Sequence, residues 1–319
     1  MTARQHAGMS RTAVSAAESL RASFRLLATE GGSSVPLDAQ HEAFLKPGKD
    51  GLIVSFETAD ALEDSQSGSL PISWQLARNT GWGSICVISD GPTWFRTPKM
   101  FEFFDRLTDV GTFDRYDRVV FYGAGPAGYA AAAFSLAAPG ADVLALAPQA
   151  TLSRHLAGWD TRFLRSRRID FEGRYGYAPD MLEAAGRAVI LFDPEVTEDA
   201  MHAALFHAPQ TRLFPCRGLG SDLASHLRQM GVLEALLRAM MAGAPVEPLF
   251  WHLWRARRRH APYLQALVRQ LLDAGRPGAA AAVCRHGWRE TERPWFAKRL
   301  AALDAQHRPP PRVSGAAGP

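Results

Sequence analysis

The sequence predicts an α/β fold built on a doubly wound, mainly parallel sheet. Short apolar runs, bounded by turn residues, alternate with segments of helical periodicity, and such runs are typical of strands that helices cover on both faces. The predicted strands are Leu52–Phe56, Ser84–Ser89, 118–122, 142–147, Arg187–Phe192 and Thr211–Cys216. Because helices connect these strands, we expect the strands to run parallel.

Length and composition agree with one large α/β domain that carries a helical appendage. The chain has 319 residues, of which 47% are hydrophobic, so it can bury a full core. Cys86, Cys216 and Cys284 show no CxxC spacing, which predicts neither a disulfide framework nor a metal site. A reducing cytoplasm is the expected location.

No targeting or membrane segment is predicted. Residues 1–28 contain no unbroken apolar core of signal-peptide length. The most apolar stretch, 129–147, is interrupted by Pro139, Gly140 and Asp142, which indicate a turn.

The domain organisation is predicted in four parts. Residues 1–34 are expected to hold a helix and a flexible segment, and 35–222 the α/β core with an Arg-rich insertion at 151–180. Residues 223–308 are expected to form a helical extension packed on the core, and 309–319 a disordered tail. Within the core, 60–69 is predicted to be an acidic, Ser-rich loop, and within the extension 223–241 is predicted to be one helix.

A glycine-rich corner, Gly123-Ala-Gly125-Pro126-Ala-Gly128, separates a predicted strand from a predicted helix. It matches the Gly-x-Gly-x-x-Gly pattern of dinucleotide-binding folds. That pattern also needs an acidic residue at the end of the next strand, and this strand ends in Ala147-Pro148-Gln149. An FAD- or NAD-dependent oxidoreductase acting through Gly123–Gly128 therefore stays an alternative hypothesis.

The same corner fits a nucleophile elbow, the strained strand-to-helix turn that presents a catalytic Ser. Gly125 stands at the nucleophile position, so no acyl-enzyme can form there. Asp193 is well placed as the acid of a triad, with Glu198 and Asp199 as competitors. The segment after the last strand, 216–222, contains no His. This pattern favours a hydrolase site that has been lost or repurposed.

These residues carry a resemblance. Residues 51–236 are similar to bacterial α/β-hydrolase-like proteins, in which Tyr-Gly-x-Ser-Met-Gly-Gly-Tyr takes the place of Tyr122-Gly-Ala-Gly-Pro-Ala-Gly-Tyr129. Nearly the whole chain resembles a subgroup of unassigned function. The motifs that it shares with this subgroup include Ser89-Asp-Gly-Pro-Thr-Trp-Phe95, Phe121-Tyr-Gly-Ala-Gly-Pro126, Pro148-Gln-Ala-Thr151, Arg174-Tyr-Gly-Tyr-Ala-Pro-Asp180 and Asp199-Ala-Met-His-Ala-Ala204. The resemblance implies an α/β-hydrolase type of sheet with a degenerate elbow.

Some members of that subgroup are labelled phosphoadenosine phosphosulfate reductases. That chemistry needs a Cys-Gly-x-His nucleophile and a Ser-Gly-Gly-Lys-Asp-Ser phosphate loop. Cys216-Arg-Gly-Leu and Cys284-Arg-His-Gly match neither motif. The label therefore carries little mechanistic weight.

Eight residues are candidates for ligand binding at the expected site. Phe56 and Glu57 follow a strand where a hydrolase supplies an oxyanion-hole N–H, although an ordinary strand-to-loop transition fits equally well. Asp199 and His202 share a helix face at i and i+3, as a site rim or, as we favour, a solvated or capping pair. The set is Phe56, Glu57, Gly125, Pro126, Gln149, Asp193, Asp199 and His202.

Two basic clusters suit an anionic ligand. Arg165-Ser-Arg-Arg168 belongs to the insertion, which is expected to lie over the carboxyl edge of the sheet. Arg255-Ala-Arg-Arg-Arg-His260 is predicted to be a solvated basic face rather than a nucleic-acid site.

The main hypothesis is a cytoplasmic, non-hydrolytic pseudoenzyme of α/β-hydrolase fold that binds a small molecule or has a regulatory role. The second is an enzyme of altered mechanism that acts on an anionic small molecule, and the third is the dinucleotide-dependent oxidoreductase. The main hypothesis expects no cofactor, no metal, no nucleic acid and no membrane partner. Oligomeric state is not predicted.

Overall fold

The computed structural model describes residue 18 and residues 20–29, 31–63 and 70–306. Within them, eight strands form one sheet in the order β1-β2-β4-β3-β5-β6-β7-β8. Their bounds are β1 Ser33–Pro36, β2 His41–Lys46, β3 Gly51–Thr58, β4 Gly83–Ser89, β5 Arg118–Ala124, β6 Asp142–Leu146, β7 Arg187–Phe192 and β8 Thr211–Pro215.

The prediction of a mainly parallel sheet is confirmed. From β4 through β3 to β8 every neighbouring pair is parallel, and only β1–β2 and β2–β4 are antiparallel. This strand order, with an antiparallel second strand and the glycine corner after the fifth, is that of the α/β-hydrolase fold. The sequence analysis missed β1 and β2 because β1 is half-exposed and β2 starts with the polar residues His41 and Glu42, both buried here.

Helices cover both faces of the sheet and form the C-terminal part of the chain. We label the helical residues 20–28 as α1. The others are α2 Ala59–Glu63, α3 Ile72–Thr80, α4 Pro98–Asp109, α5 Pro126–Phe134, α6 Arg154–Ala157, α7 Ala178–Met181, α8 Thr197–Ala204, α9 Leu223–Gln229, α10 Val232–Met241, α11 Val246–Leu253, α12 Ala261–Asp273, α13 Pro277–Thr291 and α14 Pro294–Gln306. Among the described residues no helix combines the length and the hydropathy that a membrane span requires.

Some predicted elements differ from the structure. Asp60 lies in α2 and not in a loop, while 64–69 are outside the described residues. The single helix predicted over 223–241 is two helices, because Gly231 adopts a φ of 69° and ends the first. Residues 1–17 of the predicted N-terminal segment 1–34 and the predicted tail 309–319 also lie outside the described residues.

The chain divides into two compact units between Leu249 and Phe250. The first unit therefore includes α9 and α10, which the sequence analysis assigns to the extension. The second unit is helical, and α12, α13 and α14 enclose a small core of Val268, Cys284 and Leu303.

The main core of the first unit lies between the sheet and helices α4 and α5. Phe56 of β3, Phe104 of α4 and Phe134 of α5 stack on one another with ring centroids 4.5 to 5.7 Å apart. Every residue of α5 from Ala127 to Phe134 is buried, and the small alanines let this helix lie close to the sheet. Close packing of α5 fixes the corner from which the helix starts.

The strand order reverses at β3 and β5. The chain places β4 on one side of β3, and then β5, β6, β7 and β8 follow on the other side. In open parallel sheets such a switch point leaves a crevice at the carboxyl ends of the strands, where ligands bind. Gly125 follows β5 directly and therefore lies at this crevice.

Two glycines of the corner are expected to respond differently to substitution. A Cβ added at Gly123 would lie 2.1 Å from the Ala127 carbonyl oxygen, whereas one added at Gly125 meets nothing within 4 Å. Gly123→Ala should therefore lower the free energy of unfolding by about 3 kcal/mol through overpacking. Gly125→Ala should lower it by about 1 kcal/mol through backbone strain alone. Urea denaturation of both variants measures the order, and a larger loss for Gly125→Ala would contradict this packing.

Candidate functional site

Gly125 lies at a strained turn between β5 and α5. Its φ of 55° and ψ of −124° lie in a region that residues with a side chain rarely adopt. Its N–H donates to the Leu146 carbonyl at 2.8 Å, and its carbonyl accepts from the Tyr129 N–H at 3.0 Å, so β6 and α5 both hold it. The residue is partly exposed and faces open space. A side chain at this position would project into the crevice, and this chain has none.

Pro126 leaves the corner without a backbone N–H at the position after Gly125. In α/β-hydrolases one oxyanion-hole donor is the backbone N–H of the residue after the nucleophile. Helix α5 begins at Pro126, which has no N–H. The corner therefore lacks both the hydroxyl and the donor that acyl transfer uses.

Asp193 follows β7, at the position predicted for the triad acid, and its side chain is buried. Its Oδ2 accepts the N–H groups of Leu219 and Gly220 at 2.7 and 2.6 Å, and its Oδ1 accepts the N–H of Glu195 at 2.9 Å. The carboxylate thus binds the backbone of the loop after β8, where a hydrolase places its His. Here Asp193 anchors that loop.

Glu57 is the last residue but one of β3, and its side chain is buried, with only 8% of the residue exposed. Burial raises the pKa of its carboxyl to about 7, although Arg228 and the Ile72 N–H favour the ionised form. No described residue donates a hydrogen bond to its Oε1. Glu57 is therefore a carboxyl near the crevice end of β3 whose charge changes near neutral pH.

Asp199 and His202 of α8 are buried together with Asp160 of the insertion. His202 Nδ1 accepts the Ala150 N–H at 3.2 Å, and its Nε2 lies 3.1 Å from Asp160 Oδ2. The Arg162 guanidinium bridges Asp160 and Asp199, at 2.8 and 2.7 Å. This network joins the insertion to the segment that follows β6.

The network determines the charges of its members. Burial lowers the pKa of His202 to about 4, so its ring is neutral and donates its Nε2–H to Asp160. Burial alone would raise the pKa of Asp160, but the Arg162 guanidinium holds it below its usual range. The prediction of Asp199 and His202 as a solvated pair is wrong, because the insertion covers them.

Of the remaining candidate residues, Phe56 belongs to the hydrophobic core, and Gln149 lies near the crevice. The Phe56 side chain is fully buried in the aromatic stack, so only its backbone can reach a ligand. Gln149 follows β6 and is buried, its Nε2 donates to the Ala147 carbonyl, and no described residue donates to its Oε1. The Leu146 carbonyl and the Ala150 N–H connect this segment to Gly125 and His202 respectively. Gln149 thus lies on the stretch that joins the corner to α8.

Three arginines of the insertion are bound within the protein. Arg167 donates to the carbonyls of Gly158 and Asp160, Arg174 pairs with Asp105, and Arg162 bridges two carboxylates. The other two arginines of the predicted basic cluster, Arg165 and Arg168, are exposed. Part of the basic character that the sequence analysis connected with an anionic ligand therefore stays on the surface.

The sequence analysis missed a polar array beside the same edge of the sheet. Asp38 Oδ1 lies 2.9 Å from His41 Nδ1, and His41 Nε2 lies 2.7 Å from Thr93 Oγ1. Thr93 Oγ1 also accepts the Phe95 N–H, and Trp94 and Phe95 both have positive φ, at 58° and 57°. The array holds a turn of unusual backbone conformation. The motif Ser89–Phe95 was the available signal, but its partners Asp38 and His41 lie in the turn before β2 and at the start of β2, and this strand was not predicted.

Among the described residues no three His, Cys, Asp or Glu side chains are arranged to hold a metal ion. No protein-family model matches the chain, and no curated protein matches it.

Several solved structures are similar to this chain. Carboxyl esterase 2 of the mycorrhizal fungus Tuber melanosporum shares 14% identity, with 70% of this chain and 86% of that chain covered and a TM-score of 0.42. Est1E of Butyrivibrio proteoclasticus shares 13%, with coverage of 65% and 98% and a TM-score of 0.42. EstE1, a thermostable carboxylesterase from a metagenomic library, shares 12%, with coverage of 73% and 98% and a TM-score of 0.45. The assignment of the fold rests on the strand order and the corner.

Glu57 and His202 should contribute to the free energy of unfolding with opposite dependences on pH. The Glu57 contribution becomes less favourable as pH rises, and the His202 contribution becomes less favourable as pH falls. The unfolded state releases the Glu57 proton near pH 4.5 and the folded state near pH 7, so this carboxyl lowers stability as pH rises through that window. Relative to the wild type, Glu57→Gln should gain about 3 kcal/mol between pH 4.5 and pH 8. Urea denaturation across this range measures the difference.

His202→Gln is the matched variant. Unfolded His202 binds a proton below about pH 6.5 and the folded residue only near pH 4, so this residue lowers wild-type stability as pH falls. Relative to the wild type, the variant should gain about 3 kcal/mol from pH 7 to pH 4. Shifts in the same direction for both variants would contradict the assigned charges.

Proposed function

We propose that this chain is a non-hydrolytic pseudoenzyme of α/β-hydrolase fold, which binds a small molecule at the crevice between β3 and β5 or regulates another process through that site. The observation that carries the proposal is the pair Gly125–Pro126. The elbow keeps its strained conformation, while the hydroxyl and the N–H needed for acyl transfer are both missing.

The surroundings of Asp193 support the same conclusion. Acyl transfer in this fold needs a His that accepts the nucleophile's proton and donates its other N–H to the acid. The carboxylate of Asp193 binds the N–H groups of Leu219 and Gly220 instead, in the loop where that His would lie. A base and its orienting acid are therefore not paired here.

Two polar atoms support a binding role. Glu57 lies near the end of β3, and Gln149 follows β6; these two strands are the neighbours of β5 in the sheet. Each of the two residues has a buried side-chain oxygen to which no described residue donates a hydrogen bond. Burying such an acceptor without a donor is unfavourable by about 1–3 kcal/mol. A ligand that carries hydroxyl or amide N–H groups would donate hydrogen bonds to these two oxygens. A fully deprotonated anion has no hydrogen to donate, so these two acceptors disfavour it.

The proposal includes three further points. We place the chain in the subgroup that shares the motif Ser89–Phe95. The reductase label of some subgroup members does not apply, because this chain has neither of the two motifs that the reductase chemistry needs. We place the protein in the cytoplasm, which the three buried free cysteines support. At the crevice we expect no nucleic acid and no membrane contact.

The purified protein should not hydrolyse p-nitrophenyl acetate or butyrate faster than its Asp193→Asn variant, which keeps the shape of the side chain. Gly125→Ser should also stay inactive, because the new hydroxyl has neither a base nor the following N–H. Colorimetric rates and labelling by a fluorophosphonate probe measure both. A wild-type kcat/KM of ~10⁴ M⁻¹ s⁻¹ that Asp193→Asn abolishes would overturn the proposal.

Small alcohols and amides from a fragment library should bind at the corner, as detected by ligand-observed NMR. Gly125→Leu, which fills the open space, and Gln149→Leu, which removes the acceptor, should weaken these hits by about tenfold. Gly275→Leu is the control, because Gly275 also has a positive φ and open space but lies in the second unit. Equal losses in Gly125→Leu and Gly275→Leu would refute binding at the corner.

A further inference from the structure

The second unit has a groove between helices α12 and α13, with a volume of about 380 Å³. Its apolar lining includes Leu264, Leu267 and Val283, together with the ring of Tyr263. Arg257 and Arg258, which precede α12, also line the groove. Apolar side chains beside two guanidinium groups suit a ligand that combines an apolar side chain with negative charge.

Arg257 is held in place without any carboxylate. Its guanidinium lies over the rings of Trp254 and Tyr263, 5.0 and 5.8 Å from their centroids, and its NH1 donates to the Trp254 carbonyl at 2.7 Å. Stacking of this kind fixes the side chain and leaves other N–H donors for a ligand. The positive charge is therefore positioned before a ligand binds.

His286 connects the two sides of the groove. Its Nε2 donates to the Arg258 carbonyl at 2.8 Å, while its Nδ1 accepts from Arg289 at 3.1 Å. The first of these contacts ties residues 254–259 to α13. It holds the backbone beside Arg258 in place before a ligand binds, which lowers the cost of ordering this part of the groove.

The second unit has a large excess of positive charge. Residues 250–306 contain eleven Arg and Lys against four Asp and Glu, an excess of seven, while the whole chain has a formal charge of +4. Among the described residues no carboxylate forms an ion pair with Arg257 or Arg258, and Glu290 pairs with Arg259 and Arg289. These two guanidinium groups are therefore available to bind the carboxylates of another molecule.

We propose that this groove binds an acidic peptide segment of a partner protein. An aliphatic side chain of the segment packs on Leu264, Leu267 and Val283, and flanking carboxylates bind Arg257 and Arg258. The basic residues around the groove extend the complementary surface along the segment.

The shape and chemistry of the groove favour a peptide over the other polyanions. A single-stranded nucleic acid needs aromatic platforms on which successive bases stack, and the Tyr263 ring that lines this groove is covered by the Arg257 guanidinium. A lipid surface needs a protruding apolar face, whereas this apolar surface is concave. The exposed Trp251 and Trp288 do not line the groove.

The test is fluorescence anisotropy with the full-length chain and a labelled peptide of alternating Leu and Glu. The same peptide with Gln in place of Glu is the ligand control. Arg258→Glu should weaken binding of the acidic peptide about fivefold or more, since an attraction at an exposed site becomes a repulsion. Ala282→Glu, at an exposed groove position, should weaken it similarly by placing a carboxylate in the groove.

Arg276→Glu is the matched protein control, because it makes the same charge change at an exposed arginine of the same unit outside the groove. Binding that survives Arg276→Glu but not Arg258→Glu supports the proposal. Equal losses in these two variants, or equal binding of the Gln peptide, would overturn it. Tighter, Arg258-dependent binding of oligo-dT or of phosphatidylserine vesicles would overturn it in favour of a nucleic acid or a membrane.

Discussion

The close contact between the end of β5 and the first turn of α5 is the constraint on which the first unit depends. Gly123 leaves no room for a Cβ against the Ala127 carbonyl, and the Gly125 N–H is bound to the Leu146 carbonyl of β6. These contacts determine where α5 starts, and α5 in turn supplies one side of the aromatic core. The strained backbone at Gly125 follows from this packing and persists without a catalytic side chain.

The parallel strands and the corner could be predicted from the sequence, because strands covered on both faces are continuous apolar runs. Strands β1 and β2 could not, since β2 buries polar residues whose partners are remote in sequence. His41 is an example, because its ring is satisfied by Thr93, 52 residues away. Local pattern could place Gly125 and Asp193 directly after their strands, while their part in a site stays a prediction. The burial of Asp199 and His202 depends on Asp160 and Arg162 of an insertion without periodicity, so no local pattern shows it.

Buried carboxyls have three different environments around the crevice. Asp193 is surrounded by backbone N–H groups, Asp160 faces a guanidinium and an imidazole, and Glu57 keeps one oxygen without a described donor. The first two are compensated and act as anchors for a loop and for the insertion. Glu57 is the least compensated of the three, which makes it the carboxyl most sensitive to a ligand at the end of β3.

The backbone hydrogen bonds of Asp193 also bear on how such a site changes over evolutionary time. A single substitution that introduced a His into residues 217–222 would not meet a free acid, because Asp193 would first have to release the Leu219 and Gly220 N–H groups. Gly125 and Pro126 would have to change as well. Acyl transfer at this corner would thus require a hydroxyl at position 125, an N–H at position 126 and a base beside Asp193, and no single substitution supplies all three.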